Sequence, residues 1–244
     1  MMGVGNLLRD KEIREPLFDF LDECYGKIRI IEEKTMGKSR ADVVMVVPDA
    51  LYGIEIKSDA DTYARLSSQV RDYDKYYDYN FVVVGTSHAL HIREHVPEYW
   101  GVITVELVDD VLDFYILRQP QINPKVTWKK KMEILWRPEL AQLQELYQMP
   151  KYKEKSKAFV VDKIVERLES GKIDESVFKE QVSNILLERD YNTVAEELVA
   201  YRKGEITKKL EREKDPAKQV ELLAQREQAR KNLKGRTHRR MRRV

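Results

Sequence analysis

The chain has 244 residues, 42% hydrophobic and 35% charged, enough apolar content to bury a core in one or two domains. No run of eighteen apolar residues occurs, the opening stretch MMGVGNLLRDKEIR has no apolar region long enough for a signal peptide, and the single cysteine, Cys24, excludes an intrachain disulfide and a Cys-based zinc site. A cytoplasmic, reducing setting away from membranes is the expectation. The formal net charge is +2, but the stretch from Arg230 to Val244 holds eight Lys or Arg and no acid, which leaves the rest of the chain at −6. Such a tail suits a polyanion, and Arg236, Arg239, Arg240, Arg242 and Arg243 are its candidate nucleic-acid contacts.

RDKEIREPLFDFLDECYG predicts a helix. Ile13, Leu17, Phe20 and Leu21 share one face, Gly26 follows the end, and Pro16 disturbs the pattern. KIRIIEE alternates like a strand. ADVVMVVP and LYGIEIK are β-branched runs joined by a short link, which predicts an antiparallel hairpin. Asp59 or Asp61 is placed to cap the next helix, TYARLSSQVRDYDKYYDY, on which Tyr63, Leu66, Val70, Tyr73 and Tyr77 form one apolar stripe.

FVVVGT reads as a buried strand, SHALHIREHVPEYW as a shorter helix, and GVITVELV and LDFYILR as two more strands. From residue 9 to about 118 the order is helix, three strands, helix, strand, helix, strand, strand. That predicts an α/β domain with a mixed central sheet flanked by helices over residues 1–120. Beyond QPQINPK the chain reads as helices at about 129–148, 156–169, 174–190, 193–203 and 216–233. Gly171 and Gly204 stand at stops, and Asp215 before Pro216 marks a start. Residues 121–204 are expected to form an all-helical accessory region, and 205–244 a charged helix and basic tail.

Side chains two apart in a strand share a face. Glu55 and Lys57 therefore point the same way, and Ile54 and Ile56 point into the opposite layer. In ordinary hairpin register, Asp42 lies beside Glu55 or Lys57 where the two strands diverge. Two carboxylates and a backbone carbonyl make an oxygen-rich site suited to Mg²⁺ (or Mn²⁺), and the ammonium can orient a water or offset charge on a phosphodiester under attack. The plainer alternative is a salt bridge on an exposed sheet face. A second Glu-x-Lys, Glu32 to Lys34, lacks an upstream Asp on a partner strand and ranks below the first.

RADVVMVVPDALYGIEIKSDADTYARLSSQVRDYDKYYD resembles the core of the PD-(D/E)XK nuclease superfamily. More narrowly it is similar to a bacterial and phage branch in which a RAD strand leads to G-x-E-I-K-S-D-x-D-T and then R-L-x-x-Q-x-x-x-Y. The matching residues begin at Arg40-Ala41-Asp42, continue from Gly53 to Thr62, and end with Arg65, Leu66, Gln69 and Tyr73. The similarity spans about residues 10–106, and ILWRPEL at 134–140 resembles that branch's helical extension. Ala41 stands where the superfamily's name places Pro.

The resemblance implies a restriction-endonuclease-like fold and metal-dependent hydrolysis of DNA phosphodiesters, in repair, restriction or a phage role. It implies metal binding by Asp42 and Glu55, catalysis by Lys57, assistance from Gln69, and an acid from the first helix, with Glu12 first and Glu15 second. Such folds also serve as catalytically silent binding domains, so a nucleic-acid- or protein-binding regulator is the alternative. A homodimer or protein partner would use the helical region.

Arg40 and Arg65 flank the site and are candidate phosphate contacts. His88, His91 and His95 would share a helix face, where a solvated surface or phosphate contact outweighs a metal site. Tyr73 and Tyr77 read as core, whereas Tyr76 and Tyr79 are freer to stack on bases.

Overall fold

The computed structural model describes residues 8–152 and 154–189, and a compact unit ends at Arg189. The predicted helices at 193–203 and 216–233 and the arginines from Arg236 to Arg243 lie outside the described residues.

Helix α1 (Asp10–Tyr25) precedes β1 (Arg29–Met36), β2 (Ser39–Val47) and β3 (Ala50–Lys57). A 3-10 turn (Tyr63–Arg65) leads into α2 (Leu66–Tyr76), then come β4 (Tyr79–Gly85), α3 (Thr86–Ala89), a 3-10 turn (Ile92–Glu94), β5 (Gly101–Val108) and β6 (Val111–Arg118). The strands form one six-stranded mixed sheet in the order β1-β2-β3-β4-β5-β6. The pairs β1·β2, β2·β3 and β5·β6 are antiparallel, whereas β3·β4 and β4·β5 are parallel and need the crossovers that α2 and α3 supply. The expected hairpin of β2 and β3 and the expected order of elements are both present.

Period-two alternation sorts the strands between two layers. Val43, Met45, Ile54, Ile56, Phe81 and Val83 meet Ile13, Leu17 and Leu21 of α1 on one face. Val44, Val46, Leu51, Val82 and Val84 meet Leu66, Val70 and Tyr73 of α2 on the other. That second cluster continues into the later helices, α4 (Trp128–Lys131), a 3-10 turn (Met132–Ile134), α5 (Arg137–Leu146), α6 (Lys157–Glu169) and α7 (Glu175–Leu187), through Met132, Leu140, Ile164, Phe178 and Leu186. The helices after residue 120 thus share a core with the sheet. Lys131 ties them to it: buried, it donates to Asp78, which also accepts the Leu51 N–H at 2.8 Å.

Five local expectations change; the helix predicted over 87–100 is only the short α3 and the 3-10 turn Ile92–Glu94. The helix predicted over 129–148 breaks before α5, because Pro138 is accepted in a first helical turn and not in a helix interior. The helix predicted over 62–79 runs only from Leu66 to Tyr76, and Tyr77 is already extended though fully buried. Its N-cap is Arg65 and not an aspartate, because Asp61 is turned back to accept from the Ser58 N–H and hydroxyl, and Asp59 accepts from Ser87. Tyr76 is 2% exposed and unavailable for base stacking, while Tyr79 stacks on Tyr52.

Gly53 explains itself in this packing. A Cβ there would stand 2.2 Å from Tyr77 Cδ2 and 2.7 Å from Tyr73 Cδ1, both on buried rings. Gly53→Ala is expected to destabilise the protein by about 1–3 kcal/mol through overpacking, read as a lower urea midpoint with an unchanged m-value.

Candidate functional site

Asp42 sits where β2 leaves its neighbours. The β2·β3 ladder begins at Val43↔Ile54, and the β1·β2 ladder omits the Glu33/Asp42 pair, at a residue whose φ is 49°. Side chains take over its backbone groups. The Asp42 N–H donates to the Tyr73 hydroxyl at 3.1 Å, and its carbonyl accepts from Arg14 Nη1 at 3.2 Å. The Asp42 carboxylate in turn accepts the Ile56 N–H at 2.9 Å, so it stands in for the missing ladder partner of β3.

Glu55 and Lys57 lie on the α2 side of β3 and are 1% and 4% exposed. Lys57 Nζ donates to Glu55 Oε1 at 2.6 Å and to Gln69 Oε1 at 3.1 Å, and Gln69 Nε2 donates to the same Glu55 oxygen. Tyr73 donates to Glu55 Oε2 at 2.7 Å. Both carboxylate oxygens are satisfied, which burial of a charge requires. The exposed-sheet salt bridge is therefore not what forms. Glu55, Lys57, Gln69 and Asp42 share a cavity of about 510 Å³ with Asp10, Asp61, Lys38, Arg40 and Arg65.

The charge at Asp42 is poorly compensated. Its carboxyl is pushed up to about 7, by burial first and then by Glu55 and Asp10, against the Ile56 N–H and Arg14, which lower it. Tyr73 is raised well above the phenol range by burial first and the two carboxylates next, so it stays a neutral donor.

The acid that α1 contributes is Asp10, which corrects the choice of Glu12 or Glu15. Glu12 is exposed and accepts the Arg9 N–H at 2.8 Å as a helix cap, and Glu15 is also exposed. Asp10 falls three residues before the buried Ile13 and four before Arg14, on the face that meets the sheet. Arg14 holds Asp10 Oδ2 through Nε at 3.0 Å and Nη2 at 2.9 Å and stands 3.7 Å from Asp42 Oδ1, while Asp10 Oδ1 is buried without a hydrogen-bond partner. Positions 10, 13, 14, 17 and 21 share one stripe, so the sequence places Asp10 and Arg14 on the apolar face of α1 without saying which acid reaches the cavity.

Arg40 and Arg65 line the cavity as expected and are exposed, with Arg40 3.1 Å from Glu33. Lys38, missed in the sequence, joins them from the β1–β2 turn. That turn is fixed to α2 by the Ser39 hydroxyl donating to Asp72 at 2.6 Å. The three histidines do not share a helix face. His88 pairs with the Tyr63 hydroxyl at 2.9 Å, His95 stacks on that ring, and His91 lies beside Glu94. Among the described residues no group of three His, Cys, Asp or Glu side chains is placed to hold a metal by itself. Nor is any helix among them long and apolar enough to cross a membrane.

The six-stranded mixed sheet with flanking helices makes the molecule an α/β protein, with the part-buried Asp42 beside the buried Glu55 and Lys57 at a splayed hairpin. The chain belongs to the bacteriophage P4 protein cII family, whose model matches residues 4–211, so the association with phages holds. No curated protein and no solved structure matches the chain.

Asp42 generates a pH dependence with a defined sign. An ordinary carboxyl titrates near 3.8 and this one near 7 when folded, so the folded state holds the extra proton between those values. Its contribution to stability is full below pH 4 and is lost as pH rises through 7. Asp42→Asn keeps an acceptor for the Ile56 N–H and never ionises. In metal-free buffer its stability relative to wild type should improve from pH 4 to pH 7.5 by on the order of 2 kcal/mol, allowing for partial solvation, as urea unfolding at each pH will show. A difference independent of pH would contradict the assignment.

Proposed function

We propose that the chain is a divalent-metal-dependent nuclease with a restriction-endonuclease-like core of the PD-(D/E)XK type, hydrolysing phosphodiester bonds of nucleic acid, with DNA the expected substrate. One observation carries the reading. Asp42, Glu55, Lys57 and Gln69, spread over three elements, meet in one cavity whose floor is acidic and whose rim bears Lys38, Arg40 and Arg65.

The donors suit a hard cation. Asp42 carries a charge that its own surroundings do not balance, and Asp10 Oδ1 is a buried oxygen with no partner. Mg²⁺ keeps several waters and binds through one or two carboxylates plus phosphate oxygens, so three converging side chains are not required. Asp42 and Glu55 would hold the ion, with Asp10 and the Ile56 backbone beside them. When bound, it would acidify a water and offset charge on the phosphate.

The chain's own groups do the rest. Lys57 Nζ, with two of its three hydrogens committed to Glu55 and Gln69, would orient the attacking water or donate to the developing phosphorane oxygen. Gln69 keeps Lys57 and Glu55 in place. Arg65 and Lys38 would hold phosphates on the open side, and the basic tail would add affinity that falls with salt.

A second reading, a catalytically silent nucleic-acid- or protein-binding regulator, draws on the closed pairing of Glu55 with Lys57 and Gln69, which is already neutral without an ion. Calorimetric titration with Mn²⁺ separates the two, since a binder has no need of the ion.

The direct test is cleavage of a panel of single-stranded, duplex and flapped DNA and of RNA with Mn²⁺. Lys57→Ala should lower the rate by roughly 10²–10⁴ while the circular dichroism spectrum is kept. Asp10→Ala should impair cleavage, and Glu12→Ala should cost only a helix cap, about 1 kcal/mol, with cleavage retained. Wild-type protein that cuts none of these substrates, or Lys57→Ala cutting as fast as wild type, removes the nuclease reading.

A further inference from the structure

We infer that Tyr73, placed by its spacing in the apolar stripe of α2, is the positioning residue that sets Asp42 against Glu55. Among the described residues its hydroxyl is the one group hydrogen-bonded to both. It accepts the Asp42 N–H at 3.1 Å and donates to Glu55 Oε2 at 2.7 Å, with the Ile54 carbonyl at 3.4 Å. Asp42 needs such a holder because it lies beyond the β2·β3 ladder and is skipped in the β1·β2 ladder, so strand pairing does not fix it. A residue freed from two ladders in a buried sheet has otherwise only its contacts with Arg14 and Ile56. The phenol ring is 1% exposed and packed against Tyr77 and Trp100, so the hydroxyl has little freedom to move. A rigid neutral donor–acceptor at this point ties the Asp42 backbone to the Glu55 carboxylate, and so limits where the Asp42 side chain can stand beside it.

The neighbouring Tyr77 supplies the control. It is equally buried and rests on the same glycine, but its hydroxyl has no partner. Removing that hydroxyl takes away no hydrogen bond, whereas removing the hydroxyl of Tyr73 strands an amide and a carboxylate oxygen.

The inference that this positioning serves metal binding and catalysis rests on the nuclease reading; the positioning itself is measurable without metal. Amide hydrogen exchange is compared in wild type, Tyr73→Phe and Tyr77→Phe, with Val83 on β4 as the reference for global opening. In wild type the Asp42 amide should exchange as slowly as a ladder amide, and fast exchange there overturns the proposal even if Tyr73→Phe does not fold. In Tyr73→Phe, exchange at Asp42 should quicken at least tenfold relative to Val83. Tyr77→Phe should leave that ratio unchanged, and an equal effect of both substitutions overturns the proposal.

With Mn²⁺ and substrate, Tyr73→Phe should weaken the ion's calorimetric Kd about tenfold and lower kcat with KM little changed, and Tyr77→Phe should do neither. Unchanged Kd and kcat in Tyr73→Phe overturn its functional role. Wild type that binds no Mn²⁺ defeats the metal reading instead, and the exchange ratio still decides whether Tyr73 positions Asp42.

Discussion

A lysine and a glutamate buried side by side on one strand set the terms for the rest of this molecule. Lys57 and Glu55 are almost wholly removed from water, and their attraction offsets the loss of hydration only if every remaining lone pair and proton finds a partner. Gln69 and Tyr73 supply partners to both carboxylate oxygens and a second one to the ammonium, and both come from α2. Helix α2 must therefore lie directly over β3. It does so because Leu66, Val70 and Tyr73 make its apolar face and because Gly53 leaves room for two aromatic rings. The crossover that carries the chain through α2 also forces β4 to pair with β3 in parallel, which gives the sheet its mixed character.

The second constraint is the parting of β2 from its neighbours at Asp42. Regular ladders satisfy backbone groups cheaply and leave no space for chemistry. Here the ladder stops one residue early, and Tyr73, Arg14 and the carboxylate of Asp42 itself take up the exposed backbone groups. The outcome is a cleft with acids at its floor, where a neutral phenol joins the Asp42 amide to the Glu55 carboxylate and the Arg14 guanidinium faces Asp42. The least compensated acid is Asp42, and the exposed cations, Lys38, Arg40 and Arg65, line the same cavity. That polarity, negative within and positive without, is what the proposed nuclease function draws on.

Membership of the bacteriophage P4 protein cII family covers the described α/β unit and part of the chain beyond it. The later helices are not an appendage to the sheet. They cover the face that α2 leaves open, and the buried pair of Lys131 with Asp78 locks them to the end of α2 and to β3. A change in that helical layer thus bears on the packing of α2, and through it on the site.

Much of this was legible one residue at a time. Alternation of Val43, Met45 and Val47 with Val44 and Val46 marks a strand buried on both faces, and a spacing of two puts Glu55 and Lys57 on one side and Ile54 and Ile56 on the other. A short link makes β2 and β3 a hairpin, which brings Asp42 to Glu55. These are local consequences of backbone geometry. The length of helices was less legible: Pro138 splits one, and the stretch holding the three histidines turns over in a 3-10 segment, where His88 and His95 meet Tyr63 from the start of the α2 segment.

What the sequence determined alone, then, was the type and order of the strands and which face of β3 carries charge, since a strand's period depends on nothing distant. Only the tertiary structure decided which acid of α1 enters the cleft. Asp10 does and Glu12 does not, because the answer depends on how the helix is rotated against the sheet. It also decided that Tyr73, indistinguishable from Tyr77 by spacing, places its hydroxyl between the Asp42 amide and the Glu55 carboxylate, because hydrogen bonding follows from where the ring comes to rest and periodicity records only that it is buried.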